Sequence, residues 1–474
     1  MEEQKASWAT KINYGIGAMG KGLSYGLYGQ IERYLRNILH LSDKFYMPLS
    51  FVEKIWDGIN DMMMGVVVDN TYTKWGKFRP WCAIGALTNA LMVIATFGTP
   101  AALLARPVWL CVYVTFFYFL WDMTYTMVDV AYWAMIPALS KTPGERDQFA
   151  MIPRLASGIL GLAGAFIMPI VEWLGGGKGE TNLANGYFKY ALITSAIYVC
   201  TSLYSAATTK ELDLGPPPPK EQRERFSLPR ALKILWNNKQ VLVIVGVMIL
   251  FNMAQNLTNG GMNNYLYFAR GSGTQQGIFG AAMGAAQGVG LFLFPILSKR
   301  LGRLKVYAGS LVLPCLGYAV MAIANLAAPD GFIPLVAAAF IPFIGYGSMS
   351  VMQSVMLADA VDYGEYETGI RNEGIIFSML TLLSKFAGAF ASIISTTTYV
   401  AVKFGGQYSN EATPLAIGGF RFLMFILPPV LLLCAFALYR GGYKLTPSRM
   451  EQVKAELEAR KQVEAAAEEE AMAE

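Results

Sequence analysis

The chain has 474 residues, of which 54% are hydrophobic and 15% are charged, and its formal net charge at pH 7 is +5. Soluble globular proteins usually carry about 25% charged residues, so the composition excludes an ordinary soluble protein. The five cysteines are scattered through apolar segments without a CxxC pair, which argues against a cysteine-built metal centre.

Apolar runs of about 20 residues, long enough to cross a bilayer, recur along almost the whole chain. Twelve are predicted, at 11–40, 48–70, 80–104, 107–137, 150–173, 188–208, 240–269, 276–298, 304–328, 332–357, 372–402 and 416–440. Most Lys and Arg residues fall in the even-numbered loops and the two tails, so the positive-inside rule places both termini in the cytoplasm. The small basic excess follows the membrane sides and does not indicate nucleic-acid binding. We predict an all-α membrane protein with twelve transmembrane helices.

The longest polar interruption contains the proline run Pro216 to Pro219, which is typical of a stiff extended linker. Short basic turns follow helix 2 and helix 8, at matching places in the two halves, and this indicates a duplication. We therefore predict two six-helix bundles, as in transporters of that design. The predicted boundaries are 1–208 for the first bundle, 209–239 for the linker, 240–440 for the second bundle and 441–474 for a cytoplasmic tail.

Predicted helix 1 carries several polar and aromatic side chains that a lipid-facing helix would not need. Lys21, Tyr25 and Tyr28 lie within two turns of each other. Glu32 and Arg36 follow at helical spacing, and they form either an internal salt bridge or part of an outer vestibule.

Predicted helix 2 contains two carboxylates in an otherwise apolar run. On a helix, Asp57, Asn60 and Asp61 share one face. A charged residue at the bilayer centre costs roughly 2.5–3.5 kcal/mol on insertion scales, so something must compensate each carboxylate. We predict a cation site here.

Predicted helix 4 has a polar stripe made of Asp122, Thr126, Asp129 and Trp133, at spacings that place all four on one face. Carboxylates accept hydrogen bonds from sugar hydroxyls, and an indole ring packs on the apolar face of a pyranose. The stripe indicates sugar binding. Alternatively, the two aspartates pair with basic residues and hold helices together.

Two further segments contribute basic candidates. Arg154, at the start of helix 5, either snorkels to the interface or reaches inward. Ser378, Thr381 and Lys385 lie at helical spacing in helix 11, and the ammonium of Lys385 needs an acidic partner in an apolar run. That partner is either static or exchanged as a cation enters. Beyond residue 448, the apolar positions at helical spacing predict a solvated helix that ends in disorder.

Five motifs resemble, in the same order along the chain, those of the glycoside–pentoside–hexuronide:cation symporters. They are Trp56-Asp57-Gly58-Ile59-Asn60-Asp61, Lys74-Trp75-Gly76-Lys77-Phe78-Arg79-Pro80, Asp129-Val130-Ala131-Tyr132-Trp133 through Pro137, Glu145-Arg146-Asp147, and Asp359-Ala360-Val361-Asp362-Tyr363-Gly364-Glu365-Tyr366 through Glu373. The resemblance covers nearly the whole chain. It implies a major facilitator fold that moves a sugar together with Na+, Li+ or H+ by alternating access.

The resemblance also implies two sets of site residues. It places the cation on Asp57, Asn60, Asp61 and Thr126, whose hard oxygen ligands agree with the interpretation of helix 2. It places the sugar on Lys21, Tyr125, Asp129, Trp133, Arg154, Thr381 and Lys385, to which Tyr25 of helix 1 is added. Family members that carry melibiose have an acidic residue just after the helix 1 lysine, where this chain has Gly22. The identity of the sugar is therefore open.

The function that follows is sugar:cation symport, with Na+ favoured because an amide and a hydroxyl suit a metal ion. A proton-coupled symporter is the nearest alternative, and a lysolipid carrier is a weaker one. No P-loop or paired-aspartate hydrolase pattern is present, so we predict neither an enzyme nor a bound cofactor apart from the coupling ion. The resemblance implies a monomer in a bacterial inner membrane.

Overall fold

The computed structural model describes residues 7–139, 143–210, 236, 238–368, 373–446, 448–453 and 455–460. The described chain is helical throughout, apart from one isolated β-bridge between Thr73 and Gly76. The predicted linker lies mostly outside the described residues, and so do the last 14 residues.

The helices are α1 (Trp8–Tyr28), α2 (Ile31–Arg33), α3 (Asp43–Asp69), α4 (Arg79–Phe97), α5 (Ala101–Leu104), α6 (Pro107–Ala134), α7 (Ile136–Leu139), α8 (Pro143–Ala165), α9 (Ile167–Gly175), α10 (Glu180–Thr208), α11 (Lys239–Asn264), α12 (Gly273–Leu301), α13 (Arg303–Ala327), α14 (Phe332–Thr368), α15 (Glu373–Ala401), α16 (Pro414–Arg421) and α17 (Leu427–Gly442). Three π-helical turns, Tyr34–Ile38, Tyr265–Ala269 and Phe422–Ile426, extend α2, α11 and α16.

The described residues of the twelve predicted apolar segments fall on single helices or on helices that follow each other directly, which confirms the all-α architecture. Within the described residues, eight helices are long and apolar enough to cross a membrane. The pair α8–α9, bent by 55°, makes a ninth if it forms a single span. α3 falls short because Glu53, Lys54, Asp57 and Asp61 interrupt its apolar sequence. The full span count and the side of the termini stay predictions.

The described chain divides into two compact units. The first contains Met1–Arg225, Asn263–Ala281 and Ser392–Gly419, and the second contains Phe226–Met262, Ala282–Ala391 and Phe420–Glu474. Two segments of the predicted second bundle therefore pack with the N-terminal helices.

Helix α1 is the central packing element of the first unit, and its glycines allow close approach of its neighbours. A Cβ on Gly20 would lie 2.6 Å from the Cα of Tyr198 on α10. Close approach at small residues is the usual way in which membrane helices associate. The rings of Tyr14 and Tyr132 stack at 4.4 Å, and each hydroxyl donates to the backbone carbonyl of the other residue. α1 is thereby held against α6.

A buried ionic network joins the end of α2 to the start of α3. The guanidinium of Arg36, only 1% exposed, lies 2.9 Å from an Asp43 oxygen and 3.3 Å from a Glu32 oxygen. It also donates to the carbonyl of Phe404. Of the two alternatives for Glu32 and Arg36, the structure therefore supports the internal salt bridge.

We expect Arg36→Met to destabilise the protein by about 3–5 kcal/mol, because it leaves the Asp43 carboxylate buried without its charged partner. Thermal unfolding of the purified protein in detergent, followed by intrinsic fluorescence, measures the loss. The exposed Arg106 provides the control variant Arg106→Met. Equal melting temperatures for the two variants would contradict this account.

The helix predicted beyond residue 448 is present over 448–453 and 455–460, but the expectation that it is simply solvated is wrong. Met450, Val453 and Leu457 are buried. Arg460 donates to the carbonyl of Tyr366, and its guanidinium lies 5.2 Å from that ring. The apolar residues of this helix are therefore buried in the second unit, and Arg460 joins it to the end of α14.

Candidate functional site

The cation candidates come together where α3 meets α6. The hydroxyl of Thr126 donates to a carboxylate oxygen of Asp61 at 3.3 Å. Asn60 is 5% exposed and Thr126 only 1% exposed, so this contact lies inside the unit. Its oxygen-bearing groups match the ligands of a hard monovalent cation.

Asp57, the remaining cation candidate, lies close enough to Asp122 on α6 for the two carboxylates to repel each other. Asp122 is 3% exposed, and one of its carboxylate oxygens has no hydrogen-bond partner. The ammonium of Lys54 also lies within electrostatic range of Asp57 and Asp122. Both alternatives for Asp122, sugar binding and pairing with a basic residue, therefore stay predictions.

Three residues near Asp57 and Asp122 were not predicted to be site residues. They are Tyr28, Glu53 and Lys54. The hydroxyl of Tyr28 hydrogen-bonds to Glu53, which is fully buried. The ammonium of Lys54 donates to the same hydroxyl at 2.6 Å and lies 3.4 Å from Glu53. The helical spacing of Glu53 to Asp57 was an available signal, since four residues separate positions on one face. The tyrosine contact depends on the packing of α1 against α3.

The sugar candidates of α1 and α6 also meet. The ammonium of Lys21, buried at 5% exposure, lies 2.5 Å from an Asp129 oxygen. The indole N–H of Trp133 donates to that oxygen at 3.2 Å. Lys21 also lies 4.4 Å from the ring centroid of Tyr132 and 5.0 Å from that of Trp133. A carboxylate, an ammonium and the N–H of an indole therefore lie in direct contact at this point.

The remaining N-terminal candidates lie around this centre. The guanidinium of Arg154 is exposed, 5.8 Å from the ring centroid of Trp133. This distance places Arg154 beside the sugar candidates of α6, and its orientation relative to the membrane interface stays a prediction. Tyr25 is 65% exposed and its ring stacks on Tyr28 at 6.4 Å. Tyr125 is partly buried and packs against the aromatic core of the unit.

The C-terminal candidates lie on α15. Lys385 is half-buried there and belongs to the second unit. The side chain of Thr381 lies outside the described residues, as do those of the Glu145–Asp147 motif.

The chain also matches a known protein family over most of its length. The family model described as "MFS/sugar transport protein" matches residues 13–447. The chain belongs to this family of sugar transporters. It is a multi-pass membrane transporter of the major facilitator type and not an enzyme.

Curated relatives of this family match almost the whole chain. The lactose permease of Lactobacillus delbrueckii subsp. bulgaricus is 26% identical over 96% of this chain and 73% of its own length. The raffinose carrier protein of Pediococcus pentosaceus is 26% identical over 96% and 72%. The inner membrane symporter YicJ of Escherichia coli K12 is 27% identical over 96% of both chains.

Solved structures agree with the fold. A bacterial homologue of the human lysosomal transporter Spinster, in an inward-facing conformation, superposes with a TM-score of 0.65 at 13% identity, covering 92% of this chain and 96% of its own. The nucleoside transporter NupG gives a TM-score of 0.60 at 15% identity, covering 91% of this chain and 97% of its own. These similarities concern the fold alone.

The structure explains why Gly22 stands where melibiose-carrying members of the family have an acid. A Cβ on Gly22 would lie 2.7 Å from both the backbone carbonyl oxygen and the hydroxyl of Ser157 on α8. The carbonyl belongs to the backbone, so a smaller side chain at 157 would not relieve the contact. α1 and α8 are too close at this point for any side chain.

We expect Gly22→Ala to lower the melting temperature of the purified protein, because overpacking of this kind typically costs about 1–3 kcal/mol. Gly161→Ala on α8 is the matched control, since a Cβ there has nothing within 4 Å. Differential scanning fluorimetry in detergent compares the two. A Gly22→Ala protein as stable as the control would show that α1 and α8 can separate at little cost.

Proposed function

We propose that this transporter is a sugar:cation symporter coupled to Na+, working by alternating access in the bacterial cytoplasmic membrane. The observation that carries the proposal is the hydrogen bond from Thr126 to Asp61, which joins the helix of the cation candidates to the helix of the sugar candidates.

Coupling follows from the position of these residues on α6. Thr126 and Asp129 are three residues apart, or about 4.5 Å along the helix axis. A cation held by Asp61 and Thr126 fixes this turn of α6, and with it the carboxylate that pairs with Lys21. By thermodynamic linkage, the sugar then raises the affinity for the cation by the same factor as the cation raises that for the sugar.

The set of oxygen ligands favours Na+ or Li+ over a proton. Asn60 and Thr126 offer neutral oxygens that coordinate an alkali cation but are not needed to hold a proton. Proton coupling is the second candidate, because the neighbouring carboxylates of Asp57 and Asp122 repel each other and a proton on either one relieves the repulsion.

The test is uptake of radiolabelled glycosides into proteoliposomes, with and without an inward Na+ gradient. The panel contains α- and β-linked galactosides, glucosides, xylosides and glucuronides. Uphill uptake that requires Na+ supports the proposal. Uptake driven only by a proton gradient supports the second candidate, and accumulation of no sugar under either gradient would contradict both.

A further inference from the structure

Part of the second half of the chain packs with the N-terminal helices in the first unit. The segments are Asn263–Ala281 and Ser392–Gly419. In the second of these, Asn410 donates to the backbone carbonyl of Asn37 at 2.9 Å, and the amide of Asn37 donates to the Asn410 side-chain oxygen at 2.5 Å. The positive-inside rule predicts that these helix ends are extracellular. We call the hydrogen bonds between the loop 402–413 and the N-terminal helices the outer contacts, and alternating access requires them to break when that side opens.

His40, the only histidine of the chain, lies among the outer contacts. Its Nε2 is 3.1 Å from a carboxylate oxygen of Glu180, at the start of α10. Its Nδ1 is 3.3 Å from the backbone carbonyl oxygen of Gly406, in the loop 402–413. Asn410 of the same loop donates to the other oxygen of Glu180 at 3.4 Å. One imidazole ring therefore connects two N-terminal elements with a loop from the second half of the chain.

Both partners of the His40 ring are hydrogen-bond acceptors, and this makes the arrangement sensitive to protonation. A neutral imidazole has one N–H group and can donate to only one of the two acceptors. An imidazolium has two N–H groups and donates to both. The outer contacts are therefore stronger when the ring carries a proton. By linkage, the arrangement that holds these contacts binds the proton more tightly than one in which they are broken.

The position of the ring is fixed, and its charged surroundings are simple. The backbone of His40 has a positive φ of 49°. Glu180 is its only ion-pair partner within the described residues. The side chains of His40 and Glu180 are 43% and 56% exposed, so a proton reaches the ring directly from water. Asp43 is paired with Arg36. The other charged groups of the surrounding elements form no ion pair with the ring in the described chain: Lys44, Lys178, Lys403 and Glu411.

We propose that His40 is an extracellular proton-binding site, and that a proton bound there holds the outer contacts closed. This proton regulates opening and is not the coupling ion assigned to Asp61. The inference rests on the proposed function, since an outer side that opens and closes belongs to alternating access. Histidine suits the role because it is the side chain whose charge ordinarily changes between pH 5 and 8.

The experiment measures opening of the outer side without any substrate. Spin labels are placed at Leu104 on α5 and Leu415 on α16, two exposed positions in the first unit, in the full chain with its native cysteines replaced by alanine. Double electron–electron resonance in nanodiscs, at one fixed Na+ concentration, gives the populations of short and long distances. Between about pH 8 and pH 5.5, we expect the ratio of short to long distances to rise about two- to fivefold, the range of one exposed ion pair.

The variants identify the group responsible. His40→Asn should lose the pH response, and asparagine tolerates the positive φ at this position. Glu180→Gln keeps an acceptor for the ring but removes the charge, so its pH response should be smaller than that of the wild type. Glu411→Gln, an exposed acid of the same loop, is the matched control and should respond as the wild type does. A pH response that survives His40→Asn, or a wild type without one, would overturn the inference.

Failure of this inference can be told apart from failure of the symporter proposal, because the distances are measured without sugar. Na+-driven sugar uptake together with distances that do not change with pH would overturn the role of His40 and leave symport intact. A pH response that His40→Asn abolishes, in a protein that accumulates no sugar under either gradient, would support the proton site and contradict symport.

Discussion

An Asp61→Asn variant is expected to lose Na+-stimulated sugar uptake at the Na+ concentrations that stimulate the wild type. The substitution keeps the shape of the side chain and a hydrogen bond to Thr126, but it removes one of the negative charges that would hold the cation. We expect the Na+ concentration for half-maximal stimulation to rise at least about tenfold, because a contact to a charged group contributes about 1.5–3 kcal/mol. Sugar uptake by Asp61→Asn proteoliposomes over a Na+ titration measures this shift.

The control for this variant is an acidic residue far from the contact. Asp330→Asn lies in the turn between α13 and α14, and its Na+ response should match that of the wild type. If Asp61→Asn keeps the wild-type Na+ response, the cation assignment is wrong. A response that moves from Na+ to pH would favour the proton-coupled alternative.

Substitution of Asp129 should have an equally large effect, but on the sugar. In Asp129→Ala, the pocket loses the carboxylate that orients both the Lys21 ammonium and the Trp133 N–H. We expect at least about a 100-fold loss of sugar affinity, since a hydrogen bond to a charged group contributes about 1.5–3 kcal/mol and more than one is removed. Direct sugar binding to purified protein, with Na+ binding measured in the same samples, separates the two ligands.

Because Lys21 is buried, Asp129→Ala also risks destabilising the fold, and Asp129→Asn serves as the gentler variant. The amide keeps an acceptor for Trp133 while removing the charge. Loss of sugar binding with Na+ binding intact, in a protein whose melting temperature is near that of the wild type, would support the assignment. Normal sugar affinity in Asp129→Asn would show that the ion pair with Lys21 is structural only.

The features that could be predicted from the sequence are those set by local pattern. The described residues of the twelve apolar segments are mostly helical, because the length of an apolar run is a property of the segment alone. The shared face of Asp57, Asn60 and Asp61 follows from helical geometry in the same way. The spacing of Asp129 and Trp133 on α6 likewise placed the two side chains on one face, where the structure shows their hydrogen bond.

The features that could not be predicted depend on which helices meet and how closely. No spacing in the sequence brings Tyr28 of α1 to Glu53 and Lys54 of α3. The helix beyond residue 448 was expected to be solvated because its composition is mostly polar. Its apolar residues Met450, Val453 and Leu457 are nevertheless buried. The pairing of Arg36 with Glu32 was one of two open alternatives until the burial of the guanidinium was known.

By itself, the sequence determined that this is a helical membrane protein and which helix faces carry its polar chemistry, because apolar length and helical period are local properties. That it is a transporter followed from the resemblance of its motifs to those of a known family. Only the tertiary structure decided that Thr126 meets Asp61, that Lys21 neutralises Asp129, and that Gly22 leaves no room for a second acid. These are distances between helices, and they depend on the packing of small and large side chains far apart in the chain.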